Sequence, residues 1–109
     1  GTEQFILENV MPDQLMVHTY PNPFRDATTI EFALPASSSE YKVRMEIYNS
    51  MGQWVTTVLD DVLKEGFHKA SWDARNQSGT EMRQGIYIYR LRASGSNGTL
   101  EKSGRLILK

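Results

Sequence analysis

The stretch that decides the fold is residues 41–55, YKVRMEIYNSMGQWV, in which apolar and polar side chains alternate up to a short turn. An alternation with a period of two is typical of a β-strand that turns one face towards a core. The apolar face of this strand comprises Tyr41, Val43, Met45 and Ile47. The stretch therefore predicts a strand, a tight turn and the beginning of a second strand.

The turn itself can be predicted in detail if Ile47 and Val55 pair directly on the core face. The loop then consists of residues 50–52, and a three-residue hairpin loop usually places its third residue in the left-handed conformation. Gly52 holds that position, and glycine adopts the conformation readily because it has no Cβ. The same register puts Tyr48 opposite Trp54 on the outer face.

The two-residue alternation recurs along the chain, and a helical period is absent from the pattern. Strand patterns fall at residues 28–34, 68–72, 87–92 and 100–109, with a short one near 14–18, and turn-forming runs separate them. We predict an all-β, immunoglobulin-like β-sandwich of about seven antiparallel strands without a disulfide, with a small barrel as the alternative. The predicted core comprises Ile30, Phe32, Val43, Met45, Ile47, Val55, Trp72, Tyr87, Tyr89 and Leu91.

Composition excludes several classes of function. The 109 residues suit one domain, and the absence of cysteine rules out disulfides and cysteine zinc sites. A net charge of −1 does not favour a nucleic-acid binder, and no apolar run approaches the length of a membrane span. We expect a non-enzymatic domain with no cofactor, no metal, no nucleic-acid partner and no membrane insertion.

Several motifs occur in a fixed order and carry a family resemblance. They are Tyr20-Pro21-Asn22-Pro23-Phe24, Thr28-Thr29-Ile30, Ile47-Tyr48-Asn49 with Met51-Gly52, Gly85-Ile86-Tyr87, Tyr89-Arg90-Leu91, and Lys102 through Leu106 to Lys109. In this order the chain resembles the type A C-terminal sorting domain of the type IX (Por) secretion system. It departs from that pattern at Thr19, where the family often has Asn, and at Arg25-Asp26, where the family often has Asn-Pro.

The resemblance implies a secretion role in Bacteroidetes-type bacteria. Such a domain directs a fused N-terminal cargo from the periplasm through the type IX outer-membrane translocon to the cell surface or the medium. A sortase-like peptidase usually removes it afterwards, so the implied partners are translocon components, that peptidase and the cargo. Residues 1–13 are interpreted as a linker or cargo-proximal segment, and residues 14–109 as the sorting domain. The sorting-motif residues are Tyr20, Pro21, Asn22, Pro23, Phe24, Gly52, Gly85, Tyr87, Lys102, Leu106 and Lys109.

The two prolines of the opening motif have a physical reading of their own. Proline fixes φ and biases the residue before it towards extended backbone, so Pro21 and Pro23 predict a stiff crossover. We expect this crossover to direct the rings of Tyr20 and Phe24 into the core.

The last strand predicts a docking edge. It carries Lys102, Arg105 and Lys109 beside Arg90 and Arg92. An edge strand exposes backbone groups that another sheet can join, and the export machinery is expected to read this strand.

Other functions remain open at this point. Trp72-Asp73 to Gly85-Ile86-Tyr87 also resembles, more weakly, the Ig-like domain of flagellar hook-capping proteins, which favours a structural spacer or assembly module. A carbohydrate-binding module would use the aromatic pair Tyr48 and Trp54. The oxygen-bearing residues of the middle loop allow a calcium site or an ordinary turn, and these are Asp73, Asn76, Ser78 and Glu81. A weak dimer through an edge strand is a further alternative.

Overall fold

The computed structural model describes residues 14–109, so the linker predicted for residues 1–13 lies outside the described residues. Seven strands follow one another in this range, and they are β1 (Met16–Tyr20), β2 (Thr28–Leu34), β3 (Tyr41–Asn49), β4 (Trp54–Leu63), β5 (Gly66–Trp72), β6 (Gly85–Gly95) and β7 (Gly98–Leu108). In the same range there is no helix with the length and apolarity that crossing a membrane requires.

The strands form two sheets, one with the order β1-β2-β5 and one with the order β4-β3-β6-β7. All strand pairs within the two sheets are antiparallel. The predicted all-β sandwich of seven strands is therefore confirmed. β4 and β7 are the edges of the larger sheet, and the loops at residues 21–27, 50–53 and 73–84 meet at one end of the molecule.

The core lies between the two sheets and is built from alternate residues of each strand. All ten predicted core residues are buried, which confirms the period-two assignment. Phe24, Leu34, Leu106 and Leu108 join them. A fully buried side chain of this size stabilises the fold by roughly 1.5–3 kcal/mol, and Leu106 and Leu108 bring β7 into the core.

The hairpin between β3 and β4 has the predicted loop. The Gly52 amide donates to the Asn49 carbonyl at 3.0 Å, and the Asn49 amide donates to the Gln53 carbonyl at 2.9 Å. Gly52 has a φ of +83°, so the predicted left-handed glycine is confirmed. Tyr48 pairs with Trp54, as the sequence predicts.

One detail of the predicted hairpin is wrong. Ile47 pairs with Thr56 and not with Val55, because the register shifts between Ile47 and Tyr48. Val55 is the extra residue of a β-bulge, which sets two residues of β4 against one of β3. The side chains of Val55 and Thr56 are both buried, so the bulge lets adjacent residues contribute to the core.

Candidate functional site

Asn22 lies in the crossover between β1 and β2 and pairs with the outer edge of β7. Its side-chain Nδ2 donates to the Arg105 carbonyl at 2.8 Å, and its Oδ1 accepts from the Ile107 amide at 2.9 Å. Nδ2 also donates to the Thr19 hydroxyl at 3.2 Å, which holds the amide group in place. The Asn22 side chain thus offers β7 one donor and one acceptor, as the backbone of a neighbouring strand would.

Phe24 continues this pairing with its own backbone. Its amide donates to the Ile107 carbonyl at 2.8 Å, and its carbonyl accepts from the Lys109 amide at 2.8 Å. Phe24 and Leu108 form a parallel bridge, so residues 22–24 act as a short extra strand beside the end of β7. The peptide bonds before Pro21 and Pro23 are both cis. The crossover and the last strand therefore form one composite surface, which we call the crossover–β7 site (Asn22, Phe24, Arg105, Ile107 and Lys109).

An aromatic cluster anchors this site from inside. The Phe24 side chain is 2% exposed, and its ring centroid lies 5.7 Å from that of Trp72. The Tyr87 ring packs edge-on against Trp72 at 5.0 Å. Trp72 Nε1 donates to the Arg75 carbonyl at 2.8 Å, and the Tyr87 hydroxyl donates to the Arg83 carbonyl at 2.7 Å. Burial raises the pKa of Tyr87, since the phenolate would lose hydration there.

The expectation for Tyr20 is wrong, whereas the expectation for Phe24 is confirmed. β1 pairs Thr19 with Ile30 and Tyr20 with Thr29, so Tyr20 points to the outer face of the smaller sheet. Its ring lies 5.2 Å from the ring of His18, and its hydroxyl donates to the Glu31 carboxylate at 3.3 Å. Partial desolvation and the Glu31 charge raise the pKa of the Tyr20 hydroxyl.

The structure brings most of the sorting-motif residues to one end of the sandwich. Gly85 pairs with Leu108, Tyr87 pairs with Leu106, and the loop with Gly52 lies at the same end. Lys102 is apart from this group, because it pairs with Leu91 near the middle of β7. The residues gathered at the common end are Tyr20, Pro21, Asn22, Pro23, Phe24, Gly52, Gly85, Tyr87, Leu106 and Lys109.

Gly104 is a structurally required residue that the sequence analysis missed. It pairs with Tyr89, and a Cβ at Gly104 would lie 2.5 Å from Cε2 of the Tyr89 ring and 2.7 Å from its hydroxyl oxygen. The Tyr89 ring therefore covers β7 at Gly104, where no side chain stands in its way. Burial raises the pKa of Tyr89. The sequence signal for this role was a glycine inside an otherwise alternating strand, opposite an aromatic residue on the neighbouring strand.

The arginines next to β7 are already engaged with an acidic partner. Glu101 Oε2 accepts from Arg90 at 3.1 Å and from Arg92 at 2.8 Å, so one carboxylate serves two guanidinium groups. These hydrogen bonds, that of Arg90 above all, hold the pKa of Glu101 below its usual range. Among residues 14–109, Lys102 and Arg105 take part in no ion pair.

The opposite edge of the larger sheet is covered in a similar way. The backbone amide of Gln77 donates to the Val55 carbonyl at 3.1 Å. The Gln77 Oε1 accepts from the Thr56 hydroxyl at 2.9 Å and from the Thr57 amide at 3.3 Å. An amide side chain therefore meets β4 as well as β7 at this end of the sheet, a pairing that the sequence analysis did not anticipate.

The loop that carries the calcium alternative has the geometry of a turn. Asn76 Oδ1 accepts from the backbone amides of Ser78 and Thr80 at 3.1 and 2.8 Å. Glu81 pairs with Arg75 at 3.2 Å. Within residues 14–109 no group of three or more His, Asp or Glu side chains is arranged to hold a metal ion.

The aromatic pair of the carbohydrate alternative lies on the outer face of the larger sheet. Trp54 is 49% exposed and stands opposite Tyr48. Trp54 Nε1 donates to the Thr57 hydroxyl at 3.3 Å, and the Tyr48 hydroxyl donates to Glu46 at 2.9 Å. The polar atoms of both rings are thus engaged with neighbouring side chains.

Comparison with protein families gives a direct assignment. The model of the FlgD Ig-like domain matches residues 22–98, which is more than half of the chain. The chain belongs to the FlgD Ig-like domain family. The matched part of this Ig-like domain includes β2 to β6 and ends where β7 begins. No curated protein matches the chain in sequence.

Solved structures with the same fold include FlgD and two Por proteins. FlgD from P. aeruginosa is 26% identical with a TM-score of 0.59, over 74% of this chain and 60% of that chain. Dimeric latent PorU from Porphyromonas gingivalis is 24% identical with a TM-score of 0.73, over 92% of this chain and 10% of that chain. PorZ, an essential surface component of the type-IX secretion system of that bacterium, is 23% identical with a TM-score of 0.55.

The Ig-like domain is thus similar to a part of each of these proteins. The alignment with PorZ covers 85% of this chain and 11% of the PorZ chain. This domain spans about 60% of FlgD and about a tenth of PorU. At 23–24% identity, the likeness to PorU and PorZ establishes a shared fold.

Proposed function

We propose that this Ig-like domain is a C-terminal secretion and sorting signal, which directs a fused cargo through the type IX outer-membrane translocon to the cell surface. One observation carries the proposal. The Tyr20-to-Phe24 motif and the terminal strand, which the resemblance identifies as parts of one signal, are joined by four hydrogen bonds across more than 80 residues of sequence. The signal would then be a folded surface and not a linear segment.

The chemistry in this proposal belongs to the partners. A translocon component would read the crossover–β7 site, and a sortase-like peptidase would later cleave between the domain and its cargo. The domain itself is non-enzymatic in this scheme, and it passes through the periplasm before its cargo reaches the surface or the medium. PorU and PorZ share the fold, which is consistent with the proposal.

A structural Ig-like module is the second candidate function. The family match to the FlgD Ig-like domain and the 26% identity to FlgD favour it. In that case the domain would act as a spacer or assembly module, and the terminal strand would only complete the sandwich. The two candidates differ in whether the domain alone can send an unrelated protein to the cell surface.

The experiment fuses this domain to the C-terminus of a periplasmic reporter in a type IX-competent host and measures reporter on intact cells. The FlgD Ig-like domain from P. aeruginosa, fused in the same way, is the control for fold without the signal. We expect surface reporter with this domain and none with the FlgD domain. Retention of both fusions in the periplasm would contradict the sorting function and favour the structural module.

Two single variants test whether the crossover–β7 site is what is read. Asn22→Ala removes the amide that meets β7, and Gln77→Ala removes the amide that meets β4 of the same sheet. Each variant loses hydrogen bonds to an edge strand, so the two should be destabilised to a similar extent. Thermal melts measure this loss of stability in both variants before their export is compared. We expect Asn22→Ala to lower export well below that of Gln77→Ala. Equal export of the two variants would mean that only an intact sandwich is required.

A further inference from the structure

The outer edge of β7 is covered along only half of its length. In an antiparallel strand, alternate residues direct their backbone groups to the same side. Arg105 and Ile107 face outward to Asn22 and Phe24, so Ser103, Glu101 and Thr99 also face outward. Within the described residues no hydrogen-bond partner meets the outward backbone groups of Glu101 and Ser103. We call residues 99–103 the open half of β7.

The open half is electropositive. The Glu101 charge is balanced by Arg90 and Arg92, as described above. Lys102 has the same parity as the buried Leu106 and Leu108, yet it is exposed. Within residues 14–109 it therefore stands on the core side of an edge strand as a cation without an ion-pair partner, and Arg105 follows just beyond the open half.

This charge pattern argues against a second copy of the chain as the occupant. Two β7 strands paired across a two-fold axis would bring two Lys102 ammonium groups to the same interface. A charged side chain on the inner face of an edge strand is a known barrier to such pairing. The open edge still offers backbone donors and acceptors to any extended peptide.

We propose that the open half of β7 binds a short extended segment of a different protein, with an acidic residue directly opposite Lys102. In an antiparallel addition, Glu101 and Ser103 would exchange backbone hydrogen bonds with the segment. Lys102 would then occupy a non-hydrogen-bonded pair, in which opposing side chains approach most closely. An Asp or Glu at that position would satisfy the lysine. The bound segment can extend along β7 only as far as Arg105, because Asn22 already occupies the edge there.

This inference rests on the proposed sorting function, because export is its readout. Ser103→Pro removes one outward N–H and leaves the hydrogen bonds to β6 intact, so the sandwich is retained. Lys102→Glu reverses the charge and keeps every backbone group. Lys102→Arg keeps the charge, and Lys69→Glu makes the same charge change at an exposed lysine on β5 of the other sheet. Thermal melts of all four variants confirm that each is folded.

We expect Ser103→Pro and Lys102→Glu to lower the rate of reporter export by roughly tenfold, the effect of about 1.4 kcal/mol in binding. Lys102→Arg and Lys69→Glu should export at the rate of the unaltered domain. Export of Ser103→Pro and Lys102→Glu at that same rate would overturn the inference. A concentration-dependent dimer in sedimentation, lost in Ser103→Pro, would also overturn it, since a second copy would then be the occupant. If the unaltered fusion stays in the periplasm, the sorting function itself fails and the inference falls with it.

Discussion

Replacement of Asn22 by Ala gives a direct measure of how strongly the crossover holds β7. The variant loses two hydrogen bonds to the backbone of Arg105 and Ile107, at 2.8 and 2.9 Å. A hydrogen bond of this kind contributes roughly 0.5–1.5 kcal/mol net, and Asn22 is exposed, so water replaces part of what is lost. We therefore expect a loss of about 1–2 kcal/mol in the free energy of unfolding.

The assay combines a global and a local measurement. For a domain of this size, 1 kcal/mol lowers the melting temperature by about 4–8 °C, so the midpoint should fall by about 4–16 °C. Hydrogen exchange gives the local measurement. The Ile107 amide, which Asn22 protects, should exchange faster than in the unaltered domain. The Leu106 amide faces β6 and serves as the internal control.

Two further variants sharpen the test. Asn22→Asp keeps the acceptor for the Ile107 amide but loses the donor at neutral pH, so its loss should be smaller than that of Asn22→Ala. Gln84→Ala, at an exposed position, should change stability by less than about 0.5 kcal/mol. An Asn22→Ala variant with an unchanged melting temperature and unchanged Ile107 exchange would refute the role of the Asn22 side chain.

Three other predictions concern the core and its edges. Gly104→Ala should destabilise the domain by about 1–3 kcal/mol in urea unfolding, because the new Cβ overlaps the Tyr89 ring, and adding Tyr89→Phe should recover part of the loss. Gly52→Ala should lower the free energy of unfolding by about 1 kcal/mol through backbone conformation alone, since the added Cβ would point into open space. An unchanged urea midpoint for this variant would contradict the prediction. Burial raises the pKa of Tyr87 and Tyr89 above 10.0, so their contribution to stability is complete below pH 10 and is lost as pH rises through the folded-state values. The part of the tyrosinate absorbance that Tyr87→Phe and Tyr89→Phe variants lack should therefore rise together with loss of the fold, and ionisation of these two residues well before unfolding would argue against it.

The local features of the fold follow from the sequence. The alternation in residues 41–47 identifies a buried face, and the left-handed Gly52 follows from the length of the loop. Both depend on steric rules that act within a few residues. The bulge at Val55 does not follow, because a shift of one residue depends on how β4 packs on the opposite sheet.

The contacts that make the candidate site were harder to predict because they are distant in sequence. The proline-rich crossover was identifiable as a motif, but its pairing with β7 joins residues 83 and 85 positions apart. The orientation of Tyr20 was predicted wrongly because its face depends on the register of β1 against β2. The Tyr89 ring over Gly104 likewise depends on the pairing of β6 with β7.

The position of β7 as the last strand in chain order sets the timing of folding during synthesis. Leu106 and Leu108 complete the core, and the crossover at residues 22–24 has no strand to pair with until they arrive. Until β7 has been synthesised and released from the ribosomal tunnel, the nascent chain holds β2 to β6 without a closed core. Because domains fold as units, cooperative folding waits for the final dozen residues of the domain. Any chaperone that keeps the polypeptide unfolded has that whole interval in which to bind.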